Sequence, residues 1–402
     1  MLSSMPARAR RTPNNQSTPK ENAMFDYETL KLVWWGLIGV LLIGLALTDG
    51  FDMGAMALMP FIAKTDNERR VAINTVAPHW DGNQVWLITA GGALFAAWPL
   101  VYATAFSGMY WALLLVLFGL FFRPVGFDYR SKLENKKWRD MWDWALFAGG
   151  ALPALLFGVA FGNLFLGLPF RLDETMRTHF EGSFFSLLHP FALLAGVVSL
   201  SMLCAHGGSW LMLRTEGDLY ERSCKATRLS AIVFLGCFFI CGLWLLLGIE
   251  GQNLVDNFDP NVALNPLTKQ VTLDNSGWQT NYVRYPLTQF APLLGLVGGA
   301  LALMGAQTKR NGLAFLGTSL AIIGAILTAG FALFPFVMPS SIDPASSLTI
   351  WDAVSSQKTL GIMLIVAIIF VPIILGYTLW CYWRMWGKLN DQTIEANPHG
   401  LY

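Results

Sequence analysis

Carboxylates lie inside two stretches of sequence that are otherwise rich in apolar residues. The first reads Thr48-Asp-Gly-Phe-Asp-Met-Gly54, and the second reads Ala77-Pro-His-Trp-Asp-Gly-Asn-Gln-Val-Trp86. A charge at mid-membrane depth costs roughly 2.5 to 3.5 kcal/mol on insertion scales, so acids in such places usually pair, line a wet cavity or carry protons. The two strings therefore indicate a polar site inside an integral membrane protein.

Asp49 and Asp52 are three residues apart, near the middle of a long apolar stretch. On a helix this spacing places both side chains on one face, about one turn apart. One interpretation is a buried acidic pair on a proton or cation path. The other is that Gly50 and Gly54 break the helix, so that the carboxylates only cap a re-entrant turn. The sequence leaves both interpretations open.

Asp81 and Arg123 are candidates to join these acids. Asp81 is expected at the start of the next helix, where its carboxylate could accept hydrogen bonds from free backbone amides. Arg123, in Phe121-Phe-Arg-Pro-Val-Gly126, is expected at the end of the third apolar stretch. Its charge either pairs with Asp52 or Asp81, if the first three stretches pack together, or snorkels to the membrane surface.

The histidines are poorly placed to ligate haem. A bis-His haem in a helical membrane protein needs ligands buried in facing helices, whereas three of the histidines lie in a loop or in polar segments: His79, His179 and His399. His189 and His206 are 17 residues apart on one apolar stretch, and each is expected to be a satisfied histidine at the membrane interface. The sequence also lacks metalloprotease, nucleotide-binding and serine-hydrolase motifs. No metal site and no catalytic residue is therefore expected in this chain alone.

The composition places the chain in the membrane class. It has 54% hydrophobic and only 13% charged residues, against about 25% charged residues in soluble proteins. Its 27 Lys and Arg against 26 Asp and Glu give no charge bias that would indicate a nucleic-acid partner. The five cysteines show no CxxC spacing and are expected to be small buried hydrophobes. Partners should therefore be sought within the bilayer.

Nine apolar stretches, most as long as the roughly 20 residues that a bilayer requires, predict an all-α, polytopic membrane protein. They cover 28–62, 80–97, 99–122, 142–168, 185–212, 228–248, 285–306, 312–336 and 359–386. Trp98-Pro99 leaves almost no loop, so the second and third spans are expected to form a tight antiparallel hairpin. The longest connection, 249–284, is expected to lie outside the membrane.

The distribution of Lys and Arg near the span ends favours one orientation. Most of them fall on one side, which places the N-terminus outside and the C-terminus in the cytoplasm. Residues 1–23 are polar and basic, run against this rule, and are expected to be a disordered extension that a start at Met24 would remove. The remainder, 24–402, is expected to form a single transmembrane domain.

Five strings in one order resemble subunit II of the cytochrome bd quinol oxidases. They are the two acidic strings together with Phe121-Phe-Arg-Pro-Val-Gly-Phe-Asp-Tyr-Arg130, Met141-Trp-Asp-Trp144 and Phe334-Pro-Phe-Val-Met-Pro339. The resemblance covers about Met24 to Tyr402. Several long strings in the same order are far more specific than a single motif.

The resemblance implies a subunit of a respiratory enzyme in the bacterial inner membrane, which oxidises quinol, reduces dioxygen to water and builds a proton-motive force without pumping. It implies two b-type haems and one d-type haem ligated by subunit I, with subunit II as a structural and proton-conducting partner. It also implies two four-helix bundles plus one further helix. A quinone in a lipid-facing groove and a small single-span accessory subunit are compatible with it.

Site residues follow from the same resemblance. Carried over by motif, Asp52 and Asp81, with Arg123 near them, would form a polar group that leads towards the haems at the subunit interface. Asp49 and His79 are further candidates for this group. No residue identifies a quinone site.

Two other classes of protein remain open at this stage. A secondary transporter or channel would also carry acids within its spans, but it predicts inverted repeats, and no convincing repeat is found. An assembly or lipid-binding membrane protein would carry the same acids incidentally. Oxygen consumption after replacement of the acids distinguishes these classes from a proton path.

Overall fold

Helices account for most of the chain, and short hairpins connect some of them. The computed structural model describes residues 25–255, 258–396 and 402, so the predicted extension 1–23 lies outside the described residues. The helices are α1 (Tyr27–Ile62), α2 (Asp66–Asn74), α3 (Trp80–Ala97), α4 (Pro99–Gly108), α5 (Tyr110–Tyr129), α6 (Lys136–Leu166), α7 (Pro190–Arg214), α8 (Gly217–Gly248), α9 (Thr280–Arg284), α10 (Phe290–Gln307), α11 (Asn311–Leu333), α12 (Gln357–Arg384) and α13 (Asp391–Ala396). Three antiparallel hairpins pair β1 (Phe170–Leu172) with β2 (Thr178–Phe180), β3 (Gly251–Leu254) with β4 (Val271–Asp274), and β5 (Phe336–Met338) with β6 (Leu348–Thr349).

Eight of the described helices are long and apolar enough to cross a bilayer, namely α1, α5, α6, α7, α8, α10, α11 and α12. The predicted span 80–97 forms α3 but is not among the eight, because Asp81, Asn83 and Gln84 make its first turns polar. The all-α, polytopic fold is confirmed. Nine spans, and their division into two four-helix bundles plus one helix, stay predictions.

The predicted hairpin at Trp98-Pro99 stays a prediction, and Trp98 alone joins α3 to α4. Trp98 leaves the helical conformation, with φ −131° and ψ 72°, and Pro99 begins α4 at a position where its missing N–H does no harm. α4 ends after 10 residues, and about 15 Å of helix is only half the thickness of a hydrocarbon core. The predicted span 99–122 therefore divides between α4 and α5, and α5 continues to Tyr129.

α1 is one unbroken helix of 36 residues. Gly50 and Gly54 lie inside it and interrupt it at neither position, so the re-entrant turn that was one interpretation of the two acids does not form. Every residue from Asp49 to Ala57 is buried. A helix segment buried on all sides must be surrounded by other helices, and α3, α6 and α7 make the most extensive contacts with α1.

Helices α1 and α7 cross at two glycines. A Cβ on Gly54 would lie 1.8 Å from the Leu203 carbonyl oxygen, and one on Gly207 would lie 2.1 Å from the Ala55 amide nitrogen. Real Cβ contacts essentially never fall below 3.0 Å, so only glycine allows the two backbones to approach this closely. Small residues at helix crossings are common in membranes, where lipid supplies no hydrophobic drive between helices. The crossing fixes the acid-bearing half of α1 against α7.

Loops cover the end of the bundle at which α1 begins. The Lys31 ammonium group is fully buried and donates to three backbone carbonyls at 2.9, 3.0 and 3.0 Å, those of Pro260, Val262 and Trp351. Nearby, Lys269 forms an ion pair with Asp352 at 3.0 Å. Burial lowers the pKa of Lys269, and the charge of Asp352 opposes that shift. The connection 249–284 is thus tied to the first turns of α1.

α12 stands apart from the other long helices. Only Leu360 and Leu364 are buried among its 28 residues. Polar contacts hold its two ends: Trp34 Nε1 donates to the Leu360 carbonyl at 3.0 Å, and Arg214 Nη2 donates to the Met385 carbonyl at 2.9 Å. Most of the remaining side chains are apolar and exposed, as on a surface that meets lipid or another protein.

Candidate functional site

Asp49 and Arg123 form an ion pair in the interior of the helical bundle. Arg123 Nη1 donates to Asp49 Oδ1 at 2.5 Å, and Nη2 donates to Asp49 Oδ2 at 2.9 Å. Both side chains are 0% exposed. Two parallel bonds between a guanidinium and a carboxylate fix both groups in one orientation. The predicted pairing of Arg123 with Asp52 or Asp81 is therefore wrong, and the side chain does not snorkel to the surface.

Gln84 extends this ion pair towards the surface of α3. Its Oε1 accepts from Arg123 Nη2 at 3.3 Å, and its side chain is half-buried. Asp81 lies one turn earlier on the same face of the helix and is exposed. His79 is the N-cap residue of α3, and no side-chain capping bond forms there. Asp81 is thus outside the buried cluster, on the side of α3 to which Gln84 leads.

Asp52, one turn along α1 from Asp49, belongs to a different set of hydrogen bonds. Asn83 Nδ2 donates to Asp52 Oδ2 at 2.8 Å, and the Tyr382 hydroxyl donates to Asn83 Oδ1. Asp52 and Asn83 are 0% and 1% exposed. Asp52 Oδ1 has no hydrogen-bond partner among the residues that the structure describes. These bonds join α1, α3 and α12 at one buried carboxyl group.

His79 closes the cluster beside Asp52. Its Nδ1 is 4.0 Å from Asp52 Oδ1 and 3.3 Å from Asn83 Nδ2. The ring packs among aromatic side chains at centroid distances of 4.8 to 5.8 Å, those of Phe51, Trp210 and Tyr382. Within the described ranges, His79 Nε2 has no hydrogen-bond partner. Buried polar atoms of this kind, at His79 and Asp52, are the usual binding places of internal water.

The two acids of α1 differ in what they can do. Asp49 is held by Arg123, so protonation there would leave a buried guanidinium without its counter-ion, which is costly. Asp52 accepts one amide hydrogen bond, and its other oxygen has no partner among the described residues, so it can gain or lose a proton without breaking an ion pair. The cluster can therefore carry a proton at Asp52, with Asp49 and Arg123 as a fixed charge pair beside it.

Sequence reasoning brought Asp49, Asp52, His79 and Arg123 into one group, and the structure places these four together. It missed three members of the cluster: Asn83, Gln84 and Tyr382. The first two stand in the acidic string that begins at Ala77, so their polar types inside an apolar region were a signal. Tyr382 lies among tryptophans at the end of α12, where it looks like an ordinary interfacial anchor.

The described histidines do not fit a haem. His206 uses both ring nitrogens, with the Leu47 carbonyl oxygen at 3.0 Å and Thr318 Oγ1 at 2.8 Å. It is fully buried, which corrects the prediction of an interfacial position. His189 accepts from the Phe191 amide at 3.2 Å as the N-cap of α7. His179 lies exposed on a hairpin. His399 lies outside the described residues.

A porphyrin also finds no room at His79, because aromatic rings pack against the imidazole. In the described part of the chain, no three His, Cys, Asp or Glu side chains come together in a way that could hold a metal ion. No step is therefore assigned to a haem or metal on these residues.

This chain is similar to known proteins over nearly its whole length. Residues 30–385 match the family described as cytochrome bd terminal oxidase subunit II. The chain is 53% identical to "Cytochrome bd-I ubiquinol oxidase subunit 2" of Escherichia coli (strain K12), over 94% of this chain and 100% of that one. It is 33% identical to "Cytochrome bd ubiquinol oxidase subunit 2" of Bacillus subtilis (strain 168), over 87% of this chain and 94% of that one.

A solved structure shows a similar fold. It is the structure of bd oxidase from Geobacillus thermodenitrificans, in which one chain matches with a TM-score of 0.56 over 90% of this chain and 99% of that chain. The sequence identity is 13%, so this likeness concerns the fold alone.

Proposed function

Because the chain belongs to the family of cytochrome bd terminal oxidase subunit II and is thus part of a terminal quinol oxidase, we propose that its own task is to stabilise the complex and to carry protons through Asp52. The family is one of haem-containing complexes with a partner, subunit I. We assign the two b-type haems and the d-type haem to that partner. Electrons pass from quinol to dioxygen there, and each dioxygen reduced to two waters takes up four protons.

The proton role rests on one observation, the different partners of two acids buried in the same helical turn. Asp49 has its charge matched by Arg123 at 2.5 Å. Among the described residues, Asp52 has no lysine or arginine in contact, one oxygen bonded by Asn83 and one oxygen without a hydrogen-bond partner. An acid that is expensive to keep inside a membrane protein is usually retained for function. Proton binding and release at Asp52 is the function that this geometry supports.

Successive residues of α3 connect the acids to the surface. Asn83 contacts Asp52, and Gln84 contacts Arg123. Asp81 is exposed at the first turn of the same helix. We assign the outlet of the proton route to this side of α3, where Gln84 and Asp81 supply polar side chains.

Subunit I is the proposed occupant of the surface formed by α3 and α12. An exposed carboxylate such as Asp81 is costly beside lipid and is better accommodated by a protein partner. The apolar side chains around it include Val85 and Ile88 of α3, which are 46% and 69% exposed. On α12, Ile365 and Ile369 are 48% and 52% exposed. A partner on this side would receive protons from Asp52 over a short distance.

The location follows from the same family. A multi-pass chain of a bacterial respiratory oxidase lies in the inner membrane. We place the N-terminus outside and the C-terminus in the cytoplasm, on the distribution of Lys and Arg. The transporter alternative loses its support, because α1 is unbroken at its acids and the family is one of oxidase subunits.

The proposal is tested by replacing Asp52 in the complex of this chain with subunit I. Asp52→Asn removes the proton-binding group and keeps the side-chain size. Asp218→Asn is the matched control, because Asp218 is exposed in the first turn of α8. Haem content and quinol-dependent oxygen consumption are measured for both.

We expect Asp52→Asn to keep its haem and to lose roughly tenfold or more in oxygen consumption, since positioned acids and bases contribute at least that much to proton transfer. The control should keep full activity. If the Asp52 variant respires as fast as the control, Asp52 is not on the proton route.

A further inference from the structure

His206 ties three helices together close to the acids. It lies on α7 and is 0% exposed. Its Nε2 is 3.0 Å from the carbonyl oxygen of Leu47 on α1, and its Nδ1 is 2.8 Å from Thr318 Oγ1 on α11. A side chain with polar contacts to two other helices constrains their relative positions more narrowly than apolar packing does.

The chemistry of the partners fixes which ring nitrogen carries the proton. A carbonyl oxygen only accepts, so Nε2 must carry hydrogen and donate to Leu47. In the neutral ring, Nδ1 then accepts from the Thr318 hydroxyl. Ser209 Oγ lies 3.0 Å from Thr318 Oγ1 and donates to the His206 carbonyl at 2.8 Å. Both ring nitrogens of His206 are thus satisfied, in contrast to His79, whose Nε2 lacks a described partner.

The carbonyl that His206 holds belongs to the turn before the acids. Leu47 is two residues before Asp49, and the glycine crossing of α1 with α7 follows at Gly54. The acid-bearing segment therefore contacts α7 at both of its ends, through a hydrogen bond at one end and through backbone contact at the other. Arg123 and Asn83 bond to the side chains of the acids, whereas His206 bonds to the backbone of α1 itself.

The Phe51 ring contacts both the His206 ring and the His79 ring. The Phe51 ring is 5.9 Å from the His206 ring and 5.8 Å from the His79 ring, and it stacks on Trp210 at 4.1 Å. Phe315 of α11 stacks on the His206 ring at 4.8 Å, with an interplanar angle of 20°. The imidazole is therefore held flat against one ring while it bonds at both edges.

We propose that His206 is a positioning residue for Asp52: its hydrogen bond to Leu47 sets the rotation of α1 that turns Asp52 to Asn83 and Asp49 to Arg123. The inference rests on the proposed proton role of Asp52. A carboxylate stands about 5 to 6 Å from the helix axis, so a rotation of roughly 10° displaces it by about 1 Å. A displacement of that size can cost on the order of a hundredfold in rate.

Two substitutions separate this role from plain packing. His206→Gln supplies an amide donor for the Leu47 carbonyl and an amide oxygen for the Thr318 hydroxyl, so it can replace both bonds. His206→Leu fills similar space but removes both bonds, while Thr318 Oγ1 keeps its contacts with the Phe315 carbonyl and Ser209 Oγ. His189→Leu is the control, because His189 is at the start of the same helix and far along it from the acids. Each variant is purified as the complex with subunit I.

The readouts are haem content and the pH dependence of oxygen consumption. We expect His206→Gln and His189→Leu to stay within about twofold of the unmodified complex with an unchanged pH profile, and His206→Leu to lose roughly tenfold or more with a shifted profile while its haem is retained. A His206→Leu complex with the unmodified pH profile overturns the inference.

If His206→Leu does not assemble, His206→Met decides, because it also removes the hydrogen bond to the Leu47 carbonyl and fills the space with a flexible apolar side chain. A shifted pH profile supports the positioning role, and an unchanged profile overturns it. Failure of the proposed function gives a different result. Full oxygen consumption by Asp52→Asn would contradict the proton role itself. Normal oxygen consumption and pH profile in His206→Leu, together with impaired Asp52→Asn, would contradict only the positioning role.

Discussion

Arg123 donates two hydrogen bonds to Asp49, at 2.5 and 2.9 Å, and leaves Asp52 to an asparagine. Two acids one turn apart on α1 thus have different environments, although both are fully buried. One is bound in a charge pair, and the other is bonded to an amide that Tyr382 also contacts. Our proposal that Asp49 is structural and that Asp52 exchanges a proton rests on this difference.

Removing one member of the buried pair should destabilise the complex. Asp49→Asn or Arg123→Gln leaves the other charge buried without its partner, which typically costs about 3 to 5 kcal/mol. We expect a lower yield of haem-containing complex and a lower midpoint of thermal unfolding for either variant. The double variant Asp49→Asn with Arg123→Gln should recover part of the loss.

The control for this prediction is an exposed ion pair. Lys309 and Glu221 are 2.6 Å apart with side chains that are 55% and 48% exposed, and such pairs contribute only about 0 to 1 kcal/mol. Lys309→Gln should therefore leave yield and midpoint almost unchanged. Equal losses for Lys309→Gln and Arg123→Gln would contradict the structural role assigned to the buried pair.

Tyr382→Phe should impair turnover without preventing assembly. It removes the hydroxyl that donates to Asn83 Oδ1, and a buried acceptor left without a partner costs about 1 to 3 kcal/mol. Asn83 is then free to reorient away from Asp52. We expect a several-fold fall in oxygen consumption at normal haem content. Tyr377→Phe on the same helix is the control, since Tyr377 is 65% exposed; parity between the two variants would show that the Tyr382 hydroxyl has no role.

Gly54→Ala should disrupt the crossing of α1 with α7. The new methyl group would lie 1.8 Å from the Leu203 carbonyl oxygen, and overpacking of this kind typically costs about 1 to 3 kcal/mol or more. Gly36→Ala on the same helix meets no heavy atom within 4 Å and should be tolerated. The yield of intact complex in detergent measures both. A normal yield for Gly54→Ala would mean that the helices do not approach as described.

The β1–β2 hairpin should be insensitive to pH down to about pH 4. Hydrogen bonds from His179, from the Thr175 hydroxyl and from the Arg177 amide lower the pKa of Asp173. A carboxyl whose pKa is lower in the folded than in the unfolded state, where it is about 3.9, contributes stability that is present above that value and is lost as the pH falls through the folded pKa.

Hydrogen exchange tests this prediction at the Thr175 and Arg177 amides, which both donate to Asp173 Oδ1. After correction for the intrinsic rate, protection should be constant between pH 7 and pH 5 and should fall only in more acidic solution. Asp173→Asn should lower protection already at pH 7. Loss of protection between pH 7 and pH 5 in the unmodified hairpin would show that another group controls it.

The class of fold could be predicted from the sequence because the length of an apolar stretch depends only on consecutive residues. Helix ends were harder, as α8 shows: its predicted span began at 228, but the helix begins at Gly217. Its first turns carry several charged residues, and hydropathy measures the part of a helix that suits lipid and not the whole helix. The break at Met109 was missed for a related reason, since the residues on both sides of it are apolar.

The pairing within the site could not be predicted from spacing. Asp49 and Asp52 share a helix face, so either could have met Arg123, which is 74 residues away from Asp49. The choice depends on the rotation of α1 and on how closely α3 and α5 approach it. His206 illustrates the same limit. The sequence pattern of a single histidine in an apolar stretch is the same whether the side chain reaches the membrane interface or bonds to two other helices.

The rate of proton uptake tests the central role of Asp52 most directly. The fully reduced complex is mixed with dioxygen in weak buffer with a pH-sensitive dye, and haem oxidation is followed in the same mixture. In Asp52→Asn we expect quinol to reduce the haems fully before mixing, and proton uptake after mixing to slow roughly tenfold or more. Uptake at the rate of the unmodified complex would contradict a proton route through Asp52.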